Sequence, residues 1–258
     1  VSNFESLKII SRLRTAPAYH LKIDTGMHRQ GFYLRDLPSA IKQIQNSKIL
    51  KGAYTHFAAA KDVTYPAYTL EQLAIFSQAQ NLFLKAGFKK MVFHAAASGG
   101  ALLFPQAHFD LVRVGMGLYG YWPSPESAVQ HSLVWKKELR LTPVLNWYSR
   151  ITEIKDLRAG DLIGYDLTEK MKKAGQAAII PIGYWHGFPR GLSGCGEIII
   201  NGRREKILGR VSMDLLTVSL RSQKAKYGQT VTLIGRDGPE SLLADELAAK
   251  TGTTAYEF

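Results

Sequence analysis

The sequence predicts an α/β unit of parallel strands, the C-terminal half of a (β/α)8 TIM-type barrel, followed by a mostly-β C-terminal domain. Three observations carry that prediction. Apolar strands alternate with amphipathic helices about every 30 residues in the first part of the chain, the pattern of βαβ units. Four such strands are legible there, half the number in a barrel of ~250 residues. After Pro123-Ser124-Pro125 the texture changes to closely spaced, turn-linked strands, among which Asn201-Gly202 between two apolar runs is a two-residue hairpin signal.

Taken in order, residues 2–14 read as a helix, with Phe4, Leu7, Ile10 and Leu13 at helical spacing behind a Ser2–Glu5 capping box. Its apolar stripe needs a sheet to cover and none precedes it, so the chain is expected to begin inside a fold. Tyr19 to Asp24 is an apolar strand, and Leu37 to Gln45 a helix opened by a proline at its second position. Gly52 to Ala58 is the next strand. Thr69 to Ala86 is a longer helix, with a Thr69–Gln72 capping pair and Gly87 closing it. Val92 to Ala97 and Leu111 to Leu118 complete the four strands. A linker is expected at roughly 121–138, which gives domains of 1–125 and 126–258. In the second, Trp147 to Ile154, Ala177 to Ile182, Glu197 to Ile200 and Val231 to Ile234 read as strands, and Ser241 to Lys250 as a helix. Thr253 to Phe258 reads as a strand just starting, so the chain is expected to stop inside a fold as well.

Composition narrows the function classes. With 258 residues, 46% apolar and 21% charged, this is an ordinary globular chain that can bury a full core. No stretch approaches the ~20 apolar residues of a membrane span, so no membrane partner is expected. The net charge of +12 is spread over scattered lysines and arginines, which favours a generally basic enzyme over a nucleic-acid binder. The single cysteine, Cys195 between two glycines, cannot form an internal disulfide and reads as a small loop residue. Cytoplasm is the expected compartment.

In a barrel of parallel strands, chemistry stands at the strand C-terminal ends and in the loops just after them. Here those ends carry Lys22 and Arg29, then His56, then Ser98, then Arg113 with Gly115-Met116-Gly117. A hydroxyl beside a glycine-flanked backbone that an anion can approach suggests an anion site. The alternative is that Gly115 and Gly117 only permit tight packing and that His56 is a satisfied core histidine.

The run His20-Leu21-Lys22-Ile23-Asp24-Thr25-Gly26-Met27-His28-Arg29-Gln30-Gly31-Phe32 resembles a segment of the alanine racemases, which use pyridoxal 5'-phosphate (PLP). So do Thr55-His56-Phe57-Ala58, His94-Ala95-Ala96-Ala97-Ser98 and the stretch from Phe104 to Gly115. Further matches are Pro181-Ile182-Gly183-Tyr184, Gly187-Phe188-Pro189-Arg190 and Gly209-Arg210-Val211-Ser212-Met213-Asp214, all in family order. The resemblance implies interconversion of L- and D-alanine for peptidoglycan precursors, by a homodimer whose active sites are shared between subunits. It implies that Arg113 faces the pyridine nitrogen of PLP, that His56 orients Arg113, and that Ser98, Gly115 and Met116 bind the phosphate. Arg29 would touch the phenolic oxygen and the substrate carboxylate, supported by Lys22, which many family members carry as a carbamate. Tyr165, nineteen positions before Tyr184, matches the second catalytic base, given by the other subunit with Met213 and Asp214 reaching toward the substrate. A free tyrosine has a pKa of about 10, so such a base needs cationic neighbours.

Three local departures accompany the resemblance. Ala97 stands where the family usually has an asparagine, His28 where it has a glycine, and Trp185-His186 where it has a small-acidic pair. No run resembles the family's Val-Lys-Ala-Asn-Ala-Tyr-Gly-like segment with the cofactor lysine, and the neighbours of Lys22 match the supporting lysine instead. The N-terminal half-barrel is therefore expected to be missing and to act as a partner segment. Two alternatives stay open: a catalytically silent fragment that binds PLP phosphate or dimerises, and a racemase for another amino acid such as serine.

Overall fold

Asn3, rather than Ser2, opens the first helix. Its extended backbone lets Oδ1 accept from Ser6 N at 2.8 Å while Ser6 Oγ accepts from Asn3 N, a reciprocal cap one residue later than the Ser2–Glu5 pair expected. The computed structural model describes residues 1–258 except 63, 65, 222 and 223. The chain divides into two units, Val1–Thr142 and Pro143–Phe258.

The first unit contains α1 (Phe4–Arg12), β1 (Tyr19–Lys22), α2 (Leu37–Ile44), β2 (Leu50–Tyr54), α3 (Ala67–Lys85), β3 (Val92–His94), α4 (Ser98–Leu103) and α5 (Pro125–Trp135). The strands form a parallel sheet in the order β1-β2-β3. In α2, Pro38 sits in the first turn, where its missing N–H costs nothing, and Leu37, Ala40, Ile41 and Ile44 are buried. Phe76 and Phe83 of α3 meet Phe93 of β3, at ring-centre distances of 6.4 and 6.2 Å.

Three further expectations for this unit need correction. Thr69 and Gln72 are interior residues of α3, not its cap; Gln72 Oε1 accepts from Ala58 N at 2.9 Å and so ties α3 to the loop after β2. The fourth strand is reduced to one bridge between Ala97 and Arg113, followed by a 3-10 turn over Met116–Tyr119. Gly115, at φ −115° and ψ −90°, leaves the extended region there, and Gly120 at φ 83° ends the turn. Residues 125–135, assigned to a linker, form α5, held on α4 where Trp135 Nε1 donates to Leu102 O at 2.7 Å.

The second unit is mostly strand: β4 (Trp147–Arg150), β5 (Glu153–Leu157), β6 (Leu162–Ile163), β7 (Glu169–Lys170), β8 (Gly175–Ile180), β9 (Glu197–Ile200), β10 (Arg203–Leu208), β11 (Leu216–Leu220), β12 (Thr230–Asp237) and β13 (Glu240–Leu242), with α6 (Ala244–Lys250). An antiparallel sheet runs β13-β12-β9-β10-β11-β8-β5, with β4 also on β12 and β6-β7 a separate hairpin. Asn201 at φ 52° and Gly202 at φ 67° turn β9 into β10, the paired left-handed residues that a two-residue hairpin of type I′ requires. The single strand expected over 147–154 is two strands, because the chain changes partner at Ile151 and Thr152: β4 pairs with β12 and β5 with β8. The expected terminal strand is a 3-10 turn over Ala255–Glu257. Cys195 is free and exposed, as a loop residue should be.

Candidate active site

Parallel register aligns three polar side chains in one row across the first sheet. Lys22 ends β1 opposite Tyr54 of β2, which is opposite His94 of β3. Strand alternation adds His20 to the Lys22 face and His56, two residues past Tyr54, to the Tyr54 face. Gly52 lies between His20 and Val92, and a methyl group on it would stand 2.2 Å from Val92 O and 2.7 Å from His20 Cε1. The glycine is what admits the imidazole.

Arg113 crosses the end of this row. Nη1 donates to His94 Nδ1 at 2.6 Å, and Nη2 donates to Thr55 O at 2.8 Å and Ala95 O at 3.0 Å. His56 Nδ1 is farther, at 3.4 Å. The strongest side-chain brace on Arg113 is thus His94, to which the resemblance gave no role. A guanidinium only donates, so His94 Nδ1 accepts and the neutral ring carries its hydrogen on Nε2. That hydrogen goes to His20 Nδ1, 2.7 Å away.

The surroundings are strongly cationic. Burial, then the charges of Arg113 and His20, push His94 down to about 4. Burial, then Arg113, Arg29 and Lys22, lower His56. Lys22 is lowered by burial first and Arg29 next, with Asp24 opposing and Arg113 adding to the fall. Burial also lowers Arg113, and Tyr54 opposes that. The Asp24 carboxylate is engaged by Gly26 N and His28 N at 2.9 and 3.0 Å. A cluster so built calls for an added anion.

The depressed His94 has a consequence for stability. Its folded pKa lies below the ~6.5 of an unfolded histidine, so the unfolded chain takes up the proton first as pH falls. The contribution is complete above pH ~6.5 and is lost as pH falls through about 4, on the scale of ~3 kcal/mol. Urea midpoints from pH 7 to pH 4 are expected to fall less steeply in His94→Gln, which keeps an acceptor for Arg113 but does not titrate. Equal slopes would remove His94 from this account.

Arg29 is carried by a closed loop. Phe32 N donates to Lys22 O and Asp24 N to Phe32 O, both at 2.9 Å, so residues 24–31 fold back onto the end of β1. Gly31 closes it at φ 131°, where a methyl group would lie 2.5 Å from Asp24 N. His28 adopts φ 54° in the same loop, a conformation that glycine takes more readily. Arg29 itself is exposed.

Beyond β3, buried Ser98 Oγ accepts from Gly115 N at 3.0 Å and Gly117 N at 3.3 Å, which leaves its own proton available to donate. A methyl group on Gly115 would meet nothing within 4 Å, so the backbone is approachable there. Met116 begins the 3-10 turn that follows.

The second unit holds the remaining predicted residues, all exposed: Tyr165 after β6, and Met213 with Asp214 between β10 and β11. The Gly183-Tyr184 motif braces the latter loop. Tyr184 N donates to Ser212 O at 3.1 Å and Trp185 N to Met213 O at 2.9 Å, while a methyl group on Gly183 would stand 2.3 Å from Ser212 O.

Sequence reasoning passed over His20, Tyr54 and His94. The signal that finds them is the two-residue period of strands: His20 shares a face with Lys22, and Tyr54 with His56. Gln72, whose Nε2 donates to Thr25 Oγ1 at 3.2 Å, reads as a cap in the sequence because its polarity at a helix start looks the same in either role.

Two family models match the chain: "Alanine racemase, N-terminal domain" over residues 1–123 and "Alanine racemase, C-terminal domain" over residues 144–258. The alanine racemase of Leptospira interrogans is 40% identical over 255 residues, which are 98% of this chain and 66% of that protein. The chain thus spans just under two thirds of that relative's length. The alanine racemase structure from E. faecalis superposes with a TM-score of 0.85 at 30% identity, over 100% of this chain and 68% of that one. The Bacillus anthracis structure, determined with bound L-Ala-P, gives 0.85 at 33% identity over 98% and 64%. These likenesses support a barrel domain followed by a mostly-β domain. One expectation is not supported: the family model of the N-terminal domain matches residues 1–123, against the expected absence of that domain and the partner segment built on it.

Proposed function

Because this chain belongs to the alanine racemase family, we propose that its protein interconverts L- and D-alanine with PLP, as a cytoplasmic homodimer supplying D-alanine for peptidoglycan. The observation that carries the reading is buried Lys22 and half-buried Arg113 at the end of the first sheet, beside a hydroxyl and an open glycine backbone. Its donor set fits PLP: Lys22, Arg29 and Arg113 supply positive charge that the engaged Asp24 does not balance, and Ser98 with Gly115 offers a phosphate cradle. The cofactor, when bound, supplies an electron sink that makes the α-hydrogen of an amino acid acidic.

The chain's own residues do the rest. Arg113 would face the pyridine nitrogen and, keeping its protons near neutral pH, leave that nitrogen unprotonated. Arg113 would thereby weaken the sink and disfavour side reactions such as transamination. His94 fixes the Arg113 fork, and His56 stands at its edge. Ser98, Gly115 and Met116 would hold the phosphate. Arg29 would bind the phenolic oxygen and the substrate carboxylate. Lys22, buried with a lowered pKa, is suited to carry a carbamate and so to become the anion that supports Arg29. Tyr165 would move a proton on one face of the α-carbon, with Met213 and Asp214 beside the substrate, from the second copy of the dimer.

The test is chiral chromatography of L-alanine incubated with the protein and PLP, with L-serine in parallel. Alanine is expected to reach a 1:1 mixture well ahead of serine. D-alanine forming no faster than with PLP alone would overturn the activity, and serine running ahead would reassign the substrate. Binding of PLP without turnover would favour a silent phosphate-binding chain.

A further inference from the structure

Tyr165 sits on an unusual turn. After β6, Gly164 takes φ 73°, and then Asp166 and Leu167 both adopt left-handed backbone, at φ 58° and 52°. Consecutive left-handed non-glycine residues are uncommon, and leucine gains nothing from the conformation. Within the turn, among the described residues, Leu167 N donates to Gly164 O at a long 3.3 Å, which is weak support for two such residues.

The exit of β10 supplies a further hold. Gly209, at φ 67°, lets the backbone come so close to β6 that a methyl group there would lie 2.8 Å from Ile163 O. This brings Arg210 to the turn, with Nε 2.7 Å from Asp166 Oδ2. The contact lies off the N–H axis, so it is a charge pair more than a hydrogen bond. Val211 N donates to Ser193 Oγ at 3.0 Å and anchors the arginine's own backbone. At the far end of the hairpin, Lys206 Nζ donates to Glu169 Oε2 at 2.9 Å. The segment from Tyr165 to Glu169 is therefore fastened to the β10 region at both ends by opposite charges.

We infer that Asp166 and Arg210 are positioning residues for Tyr165: their ion pair holds the left-handed turn that sets the direction of the phenol. The inference rests on the reading of Tyr165 as a base and adds to it the device that aims it. With Asp166 exposed and Arg210 half-buried, the pair contributes little to global stability and acts on the turn's conformation more than on the fold.

The test uses the PLP-loaded protein and follows deuterium entry at the α-carbon separately from L- and D-alanine. Asp166→Asn and Arg210→Ala are each expected to slow exchange on the face served by Tyr165 by about 10-fold, with KM nearly constant and the other face within about 2-fold. The double variant should be no slower than either single one, which marks a shared interaction. Asp166→Gly keeps the left-handed backbone accessible and removes the carboxylate, so it too should lose about 10-fold. The charge exchange Asp166→Arg with Arg210→Asp should recover most of the loss. Without cofactor, amide hydrogen exchange at Leu167 should rise in Asp166→Asn while melting temperature stays put. A wild-type rate in Asp166→Gly, or additive losses in the double variant, overturns the inference. Tyr165→Phe is the reference: if it leaves both faces unchanged, the reading of the base fails, whatever Asp166 does.

Discussion

Replacing Tyr165 by Phe is expected to slow α-hydrogen exchange from one enantiomer of alanine by about 10²–10⁴-fold, with exchange from the other within ~10-fold. Racemisation needs a proton to leave one face of the α-carbon and another to arrive on the opposite face, so two groups share the work. The substitution removes only the hydroxyl. Since Tyr165 is exposed and packs little, stability is expected to change by less than ~0.5 kcal/mol. The one-sidedness is the informative part: loss from both faces alike would indicate a disturbed site, and no loss would dismiss the residue. The measurement is deuterium incorporation in D2O, started from each enantiomer and read by mass spectrometry.

Gly52→Ala is expected to destabilise the first unit by about 3 kcal/mol. Alanine is small, but here its methyl group would stand 2.2 Å from a backbone oxygen of the neighbouring strand, which cannot rotate away. The same methyl group would press on His20 and lengthen its 2.7 Å bond to His94, and through His94 loosen Arg113. PLP affinity should therefore fall along with the unfolding temperature. Gly175→Ala is the matched control, because its nearest neighbour would be Met171 Cε at 3.6 Å; a change below ~1 kcal/mol is expected there. Calorimetry of both variants decides the matter, and equal melting temperatures would show that β2 and β3 can part without penalty.

Much of this architecture is written in local pattern. The alternation of apolar runs with helices gives β1, α2, β2, α3 and β3 in order, and Asn201-Gly202 gives the β9-β10 hairpin to the residue. Pattern fails where a tertiary partner decides. Leu111 to Leu118 has the composition of a strand, yet Gly115 turns the backbone and only Arg113 pairs. Trp147 to Ile154 is continuous in hydropathy, and only the exchange of β12 for β8 as partner divides it. The polar ends of the strands were legible as a site because each carries a charged or hydroxyl group after an apolar run. The brace on Arg113 was not, because His94 stands 19 positions away in sequence and looks like any strand histidine until register sets it beside Tyr54. Asp166 was equally silent: nothing local says that its partner is Arg210, which is brought in by a glycine at the end of another strand.

The hydrogen bonds from Arg113 through His94 to His20 all point the same way, outward from the guanidinium. Such a chain transmits direction but insulates against charge. For a proton to pass inward, His94 would have to hold hydrogens on both nitrogens while facing a cation that has no lone pair to receive one. Arg113 is thereby tethered without being wired to solvent. The histidines behind Arg113 can therefore hold its guanidinium in place without taking its proton.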